Sequence, residues 1–418
     1  MYSFITTFNL IVFLIFTVFY FYQIIYAIVG LFSKSKTFEA KVNHKFGVII
    51  SARNESSVIG QLIESIKRQK YPEDLVDVFV VADNCTDNTA EIAEAAGATV
   101  FVRNNQELVG KGYALDYAFG ILHTEYKDRG YEGWFVFDAD NLLDENYIKE
   151  MNAVFDAGYK MVTSYRNSKN YDTNWISAGS ALWFLREAKY LNNPRMILGT
   201  SCAVSGTGFL IHDEIILKNG GWKYHLLTED IEFSVASVID GGMIAYCDTA
   251  HLYDEQPEKL KQAWRQRERW AKGFYQVFGK YGGKLFKTAI KDKSFSCFDM
   301  LMTVSPAMLI TLLSILVNTV FACIGIFSAE TLPRLINHTM ISLATTVLNF
   351  YLILFFFGSI TTITEWKHIR GKGYKKVMYI FTFPLFLFLY VPISLVALFK
   401  KVEWKPIHHS VTKSIDDI

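Results

Sequence analysis

Two carboxylates, Asp138 and Asp140, close the run Trp134-Phe135-Val136-Phe137-Asp138-Ala139-Asp140-Asn141. Four consecutive apolar residues suit a strand buried on both faces. At the end of such a strand, an i, i+2 pair of acids converges on one point and can hold a hard cation. Open α/β sheets bind ligands at the carboxyl ends of their strands, so the place is right as well. Alone, Asp-x-Asp is a weak signal, because most such pairs are solvated turn residues. Its meaning depends on the rest of the chain.

Five other stretches carry comparable chemistry. Ser51-Ala52-Arg53-Asn54-Glu55 leaves the first apolar run, as an ordinary strand-to-helix loop also would. Ala82-Asp83-Asn84-Cys85-Thr86-Asp87 leaves the second; Asp83 stands at the strand end, and Asp87 is placed to cap a helix from Thr89. Gly110-Lys111-Gly112 could let a phosphate approach a helix N-terminus, though a plain loop lysine reads the same way. In Leu227-Thr228-Glu229-Asp230-Ile231-Glu232, Thr228 is placed to cap a helix, leaving Glu229 and Asp230 in its favourable first turn. In Gln266-Arg267-Glu268-Arg269-Trp270, residues Gln266, Arg269 and Trp270 share one helical face. An arginine beside an exposed indole can hold a diphosphate while the ring stacks on a sugar. The same helix also suits a membrane surface, since six lysines lie between Lys272 and Lys293.

The elements that must position these groups follow from periodicity. Val48–Ile50, Val76–Ala82, Thr99–Val102, the Trp134 run and a segment near Met161 read as strands. Ser57–Gln69, Thr89–Ala96, Tyr113–His123 and Glu145–Phe155 read as the helices between them. Such alternation predicts an α/β domain with a mostly parallel sheet covered by helices on both faces. No G-x-G-x-x-G follows a strand and no Walker A motif is present, so the ordinary dinucleotide and P-loop readings lack their motif.

Charge and composition narrow the class. A net charge of +1 over 418 residues gives no field that would favour nucleic acid. Five scattered cysteines without C-x-x-C argue against a disulfide framework or a zinc site and fit a reducing compartment. Aromatic residues make up 16% of the chain, and the apolar excess gathers at its two ends. Phe4–Phe32 carries no charge and is long enough to cross a bilayer. It lacks the basic start and cleavage site of a signal peptide, so an uncleaved anchor over residues 1–33 is expected. Lys34, Lys36, Lys41 and Lys45 follow it and place the next domain in the cytosol. Met300–Phe327, Thr339–Ile363 and Val377–Phe399 are three further uncharged runs of spanning length. The basic linker Thr364–Lys376 suits the cytosol and Ser328–His338 the outside. Three spans leave the C-terminus outside, whereas Lys400, Lys401 and Lys405 argue for inside. Pro306, Pro384 and Pro392 mark places where a run could break or lie in the interface.

The ordered set Asp83, Asp138-Ala139-Asp140, Thr228-Glu229-Asp230 and Gln266-x-x-Arg269-Trp270 resembles the membrane-embedded family 2 glycosyltransferases, which include cellulose, hyaluronan, chitin-oligosaccharide and poly-N-acetylglucosamine synthases. The likeness covers roughly residues 45 to 275, and as a set it is specific where each motif alone is not. It implies a GT-A-type (Rossmann-like) domain over 45–255, acceptor-side and interfacial helices over 256–298, transmembrane helices over 299–400 and a tail over 401–418. By position, Glu55 and Asp83 resemble the groups that hold the uracil of a UDP-sugar, and Lys111 the lysine near its diphosphate. Asp138 and Asp140 resemble the donor and metal site for Mg²⁺ or Mn²⁺. Asp230 resembles the general base, with Glu229 beside it. Gly206, in Ser205-Gly206-Thr207-Gly208-Phe209, resembles the acceptor-pocket loop, and Gln266, Arg269 and Trp270 the diphosphate clamp and acceptor stack. Two departures stand out. Asp-Asn-Cys-Thr-Asp replaces the commoner Asp-Asp-Gly-Ser-x-Asp, and Trp404-Lys405-Pro406-Ile407-His408-His409 matches the cytosolic C-terminal motif of some relatives only loosely.

A carboxylate on the attacking side and a cation on the leaving side imply single displacement with inversion. The expected activity is extension of a β-linked polysaccharide from a UDP-sugar at the cell membrane, N-acetylglucosamine or glucose being the implied donors and export a further step. The alternative is transfer of one sugar to a lipid acceptor. A homo-oligomer or an accessory export subunit is the partner that such a synthase would call for; a non-enzymatic scaffold is disfavoured by the intact acids.

Overall fold

Strand β1 (Phe46–Ala52) lies at the centre of an eight-stranded sheet with every residue but Ser51 buried. The computed structural model describes residues 2–305, 307–326, 332–403, 409 and 411–417. The other strands are β2 (Val76–Asp83), β3 (Thr99–Arg103), β4 (Gly133–Asp138), β5 (Leu142–Leu143), β6 (Met161–Ser168), β7 (Phe209–His212) and β8 (Ile244–Asp254). Their order is β3-β2-β1-β4-β7-β6-β8-β5. One half follows the sequence expectation: β3, β2, β1 and β4 are all parallel. The other half is mixed, because β7 runs antiparallel to both β4 and β6, and β5 antiparallel to β8. The segment Phe209–His212 is too short for its own period to announce a strand, so the sequence gives it no signature.

Register sets the site. Ser51 pairs with Asp138, Ala52 with Ala82, and Asp83 with Arg103, so the carboxyl ends of β1, β2, β3 and β4 finish side by side. Helix Ile59–Lys67 turns Ile59, Leu62, Ile63 and Ile66 onto this sheet, and helix Lys111–Glu125 adds Ala114, Leu115, Ala118, Phe119 and Leu122. Burial of each large apolar side chain contributes roughly 1.5–3 kcal/mol, which fixes the helix starts that carry functional groups. Helix Trp175–Glu187 begins with a capping box in which Asn174 accepts the amides of Ile176 and Ser177 at 2.9 and 3.2 Å. The long helix Leu260–Lys291 packs Ala263, Gly273 and Val277 inward and carries the Gln266–Trp270 turn.

The apolar runs behave less uniformly than their length suggests. Tyr2–Tyr20 and Tyr22–Phe32 are two helices bent by 43°. The Met300–Phe327 run is divided: helix Phe295–Val304 stops at Ser305, which is extended, and Ala307–Ile326 begins anew. A residue preceding a proline is driven out of the helical region, which accounts for the break before Pro306. Helix Leu332–Thr364 starts earlier than the Thr339 boundary, so the described part of the expected outer loop Ser328–His338 is helical. Among the described residues two helices, Ala344–Thr364 and Gly373–Phe399, are long and apolar enough to cross a membrane, or up to three if the bent pair is one span.

The Gly373–Phe399 segment is tied at one end to the sheet domain and at the other to the long helix Leu260–Lys291. Near its start Lys375 Nζ donates to the Asp172 carbonyl at 2.6 Å, and just past its end Lys400 Nζ lies 2.9 Å from Glu268. The described part of the tail is tied to the sheet domain: Val411 donates its amide to Glu255 at 2.9 Å, Lys413 Nζ reaches the Lys169 carbonyl at 2.8 Å, and Asp416 pairs with Arg68 at 2.6 Å. Trp404–His408 lies outside the described residues. A buried knot joins the helices beneath: Arg195 holds Asp299 at 2.7 Å, and the hydroxyls of Tyr22 and Tyr26 both donate to the same carboxylate at 2.9 Å.

Candidate active site

The first half of the site comes from strand ends. Asp83 closes β2 and is buried, taking Arg103 Nη1 at 2.5 Å from β3. Arg103 gave no sequence signal because the pair is made by register across strands. Glu55 follows β1 and donates its amide to Thr89 Oγ1 at 2.8 Å. Thr89 in turn donates its amide to Asp87 at 3.2 Å, so Asp87 satisfies the first amide of the helix although Asn88 stands at its N-cap, and it also accepts the Ser56 amide at 3.3 Å. Helix cap and Glu55 loop are therefore one unit.

Lys111 opens its helix and pairs with Asp138, while donating to the Gly206 carbonyl at 2.8 Å. The following glycine is needed for close approach: a Cβ on Gly112 would meet the Tyr224 carbonyl oxygen at 2.2 Å. Asp138 donates its amide to Thr207 Oγ1 at 2.9 Å, and the Thr207 hydroxyl donates to Asn141. Asp140 is buried and accepts the Glu255 amide at 2.9 Å. His409, from the tail, places Nδ1 2.9 Å from Glu55 and Nε2 3.9 Å from Asp140. Burial opposes charge on this imidazole, but Asp140 and Glu55 outweigh it and push its pKa up to about 10. Burial likewise opposes charge on Asp140, yet His409, Lys169 and the Glu255 amide hold it below the ordinary aspartate value. Glu55 goes the other way, raised by burial.

Gly206 lies between the two halves with φ +81°. A Cβ there would stand 3.7 Å from Arg166 Nη1, 3.9 Å from Asp230 Oδ2 and 4.0 Å from Asp138 Oδ2. Asp230 and Glu229 occupy the first turn of helix Glu229–Ile239. Burial raises the pKa of both; repulsion from Asp230 adds to the effect on Glu229 and takes it to about 7, against the pull of Lys111 and Arg269. Thr228 does not cap this helix, contrary to its sequence position. Its hydroxyl has no partner among the described residues, and the side chain is packed against the helix face opened by Gly273, where a Cβ would come within 2.5 Å of it.

Gln266, Arg269 and Trp270 all line the same cavity, a volume of about 620 Å³ that also includes Glu55, Asp83, Lys111, Asp138, Asp140, Gly206, Glu229 and Asp230. Arg269 donates to the Leu227 carbonyl at 3.2 Å, tying its helix to the loop before Glu229. Arg166, which the sequence left unmarked, belongs here, bonded to Asp254 and at 2.7 Å to the Ser205 carbonyl, and so does His409, from the tail stretch that resembles the relatives' C-terminal motif only loosely. Beyond Trp270 the cavity continues past Trp183, Phe184 and Tyr390 to Phe350 and Leu354 of the apolar helix.

The acids fit a divalent cation as half a site. Among the described residues no group of three or more His, Cys, Asp or Glu side chains is arranged to hold an ion by itself. Two carboxylates, Asp138 and Asp140, line the same cavity, Asp138 bordering the space at Gly206. Mg²⁺ in particular is commonly held by one or two carboxylates together with substrate phosphates.

Three comparisons bear on this arrangement. A family model described as "Glycosyltransferase like family 2" matches residues 44–273. The probable glycosyltransferase YdaM of Bacillus subtilis is 27% identical over 279 residues, covering 62% of this chain and 62% of that protein. A β-monoglucosyldiacylglycerol synthase of Nostoc sp. is 24% identical over 293 residues, covering 66% of this chain and 59% of its own length. A poly-β-1,6-N-acetyl-D-glucosamine synthase of Staphylococcus aureus is 25% identical over 262 residues, with 59% of each chain covered. The chain thus spans about three fifths of the length of these curated relatives. Among solved structures, the mannosyltransferase PcManGT of Pyrobaculum calidifontis, in complex with GDP-Man and Mn²⁺, superposes with a TM-score of 0.59 at 16% identity. That match covers 94% of this chain and 99% of the other.

Proposed function

The chain belongs to the glycosyltransferase-like family 2, and we propose that it transfers a sugar with inversion from a UDP-sugar to a hydroxyl of a membrane-held acceptor. The enzyme class and the GT-A-type fold follow from the family and from the structural likeness; donor, acceptor and residue roles are our reading. The donor's base lies at Glu55 and Asp83, and its diphosphate at Lys111, Arg269 and the Asp138/Asp140 pair. A bound Mg²⁺ or Mn²⁺ would neutralise charge growing on the leaving diphosphate. Lys111 and Arg269 supply fixed positive charge to the same end of the reacting bond. Asp230, across Gly206 from Asp138, accepts the proton of the attacking hydroxyl, and Glu229 shares its field. Attack opposite the leaving group turns an α-linked donor into a β-linked product.

The observation that carries the acceptor side is the continuity of one cavity from Asp138 and Asp230 to Phe350 and Leu354. A sugar acceptor borne on a lipid fits it, with the lipid entering between apolar helices and the hydroxyl reaching Asp230. The Nostoc relative named as a glucosyldiacylglycerol synthase agrees. Extension of a polysaccharide is the second reading. Trp183, Phe184, Trp270 and Tyr390 line the path and offer rings on which successive sugars can stack. In either case the sheet domain faces the cytosol, with the Lys272–Lys293 stretch along the bilayer surface. A panel of UDP-sugars presented to the purified protein in lipid nanodiscs, with Mn²⁺ or Mg²⁺, tests both. UDP release with a single organic-soluble glycolipid supports the first reading and a polydisperse polymer the second. No UDP release from any donor would sink the enzyme assignment at this site.

A further inference from the structure

The cavity wall beyond Trp270 carries a charge that the transfer reaction does not use. Arg186, in the last turn of helix Trp175–Glu187, lines that wall. Its guanidinium carbon lies 5.3 Å from the Trp183 ring and 5.6 Å from the Phe357 ring, the latter within the apolar segment Ala344–Thr364. Among the described residues no carboxylate, hydroxyl or carbonyl pairs with it.

The other cations of this wall are committed. Arg195 is locked to Asp299 at 2.7 Å, and Arg166 to Asp254. The adjacent acid, Glu187, responds to Arg195 and Arg166 before Arg186, and burial raises its pKa above the ordinary glutamate value. Burial also lowers the pKa of Arg186, against the smaller pull of Glu187. An arginine held at the edge of apolar helices is costly unless an anion or water balances it, and ring faces supply only part of that. Guanidinium is well suited to a phosphate ester, which it can grip with two parallel N–H···O bonds.

We propose that Arg186 is the headgroup subsite for an anionic, phosphate-bearing lipid that enters the cavity between the apolar helices, its polar end directed toward Trp270 and Asp230. This rests on the reading of a membrane-held acceptor given above and adds its chemical class. Trp183 and Phe357 flank the cation, while Phe350, Leu354 and Leu387 border the same cavity and suit acyl chains. The subsite is separate from the donor carboxylates, so lipid retention and donor chemistry are independently measurable.

The test uses the full chain in nanodiscs of phosphatidylcholine doped with either phosphatidic acid or diacylglycerol. Lipids retained after delipidation are read by native mass spectrometry. The wild-type protein is expected to prefer phosphatidic acid by about tenfold, one well-formed charged contact's worth of affinity. Arg186→Gln should abolish the preference and Arg186→Lys keep part of it, while the calorimetric affinity for UDP with Mn²⁺ stays unchanged in both. Equal retention of the two lipids by the wild type would overturn the proposal, and so would displacement of phosphatidic acid by inorganic phosphate or UDP, since the site would then serve a free anion. The wild-type comparison stands even if a variant fails to fold. Absence of UDP release with a preserved lipid preference would instead refute the transferase reading and leave the subsite intact.

Discussion

Asp138, at the end of a strand, and Asp230, in the first turn of a helix, reach the same point. Their Oδ2 atoms lie 4.0 and 3.9 Å from the place where a Cβ on Gly206 would stand. The space between donor-side and acceptor-side carboxylates is therefore kept open by the absence of one side chain. Gly206→Ala should close it. The left-handed backbone at this position adds a strain of roughly 1–2 kcal/mol. We expect transfer to fall by at least about tenfold while the protein stays folded, since one misplaced atom at a reacting centre can cost more than that. Thermal melting alongside a product assay checks both halves.

Glu229 and Asp230 make the reaction pH-dependent. With the Glu229 pKa raised to about 7 by burial and by Asp230, the pair holds a proton at mildly acid pH. As the pH rises through 7 that proton leaves and the base becomes available, so kcat/KM should rise across this range. Stability should move in the opposite direction. The folded state binds more protons than the unfolded chain between the ordinary glutamate value of 4.5 and about 7, so this contribution is present below 4.5 and lost as pH rises through about 7. Glu229→Gln should flatten that part of the stability profile, which denaturant titrations at several pH values would show.

The Arg195–Asp299 knot binds helix Phe295–Val304 to the N-terminal helices through Tyr22 and Tyr26. Removing Asp299 leaves a buried guanidinium and two buried hydroxyls without their acceptor. Asp299→Ala should destabilise the protein by about 3–5 kcal/mol, the usual effect of breaking a buried pair. Unfolding in mild detergent measures it, and a change under about 1 kcal/mol would show that the knot is dispensable.

How much of this was legible before the fold was known depended on the range of each interaction. Asp138, Asp140, Glu229, Asp230 and the Gln266–Trp270 turn are local patterns, and the fold brings all of them to one cavity. Parallel strands β1 to β4 were equally visible, because apolar runs and amphipathic helices alternate there. Contacts made across the sheet or from the far end of the chain were not. Arg103 meets Asp83 only through the β2–β3 register, and His409 reaches Glu55 from the tail. Thr228 shows the opposite failure: its position favours a cap, but packing on Gly273 turned the hydroxyl away. Hydropathy alone also does not show the break at Ser305 or the ties of Lys375 to Asp172 and of Lys400 to Glu268, since neither is a matter of composition.

The central claim is that Asp230 removes the acceptor proton while the donor is held elsewhere. Asp230→Asn keeps the side chain's size and removes its basicity. Calorimetric titration with a UDP-sugar and Mn²⁺ should give donor affinity within about threefold of wild type, whereas transfer in nanodiscs should drop by about a hundredfold or more. Donor affinity preserved and transfer lost is the result the account predicts; transfer surviving at near wild-type rate would contradict it.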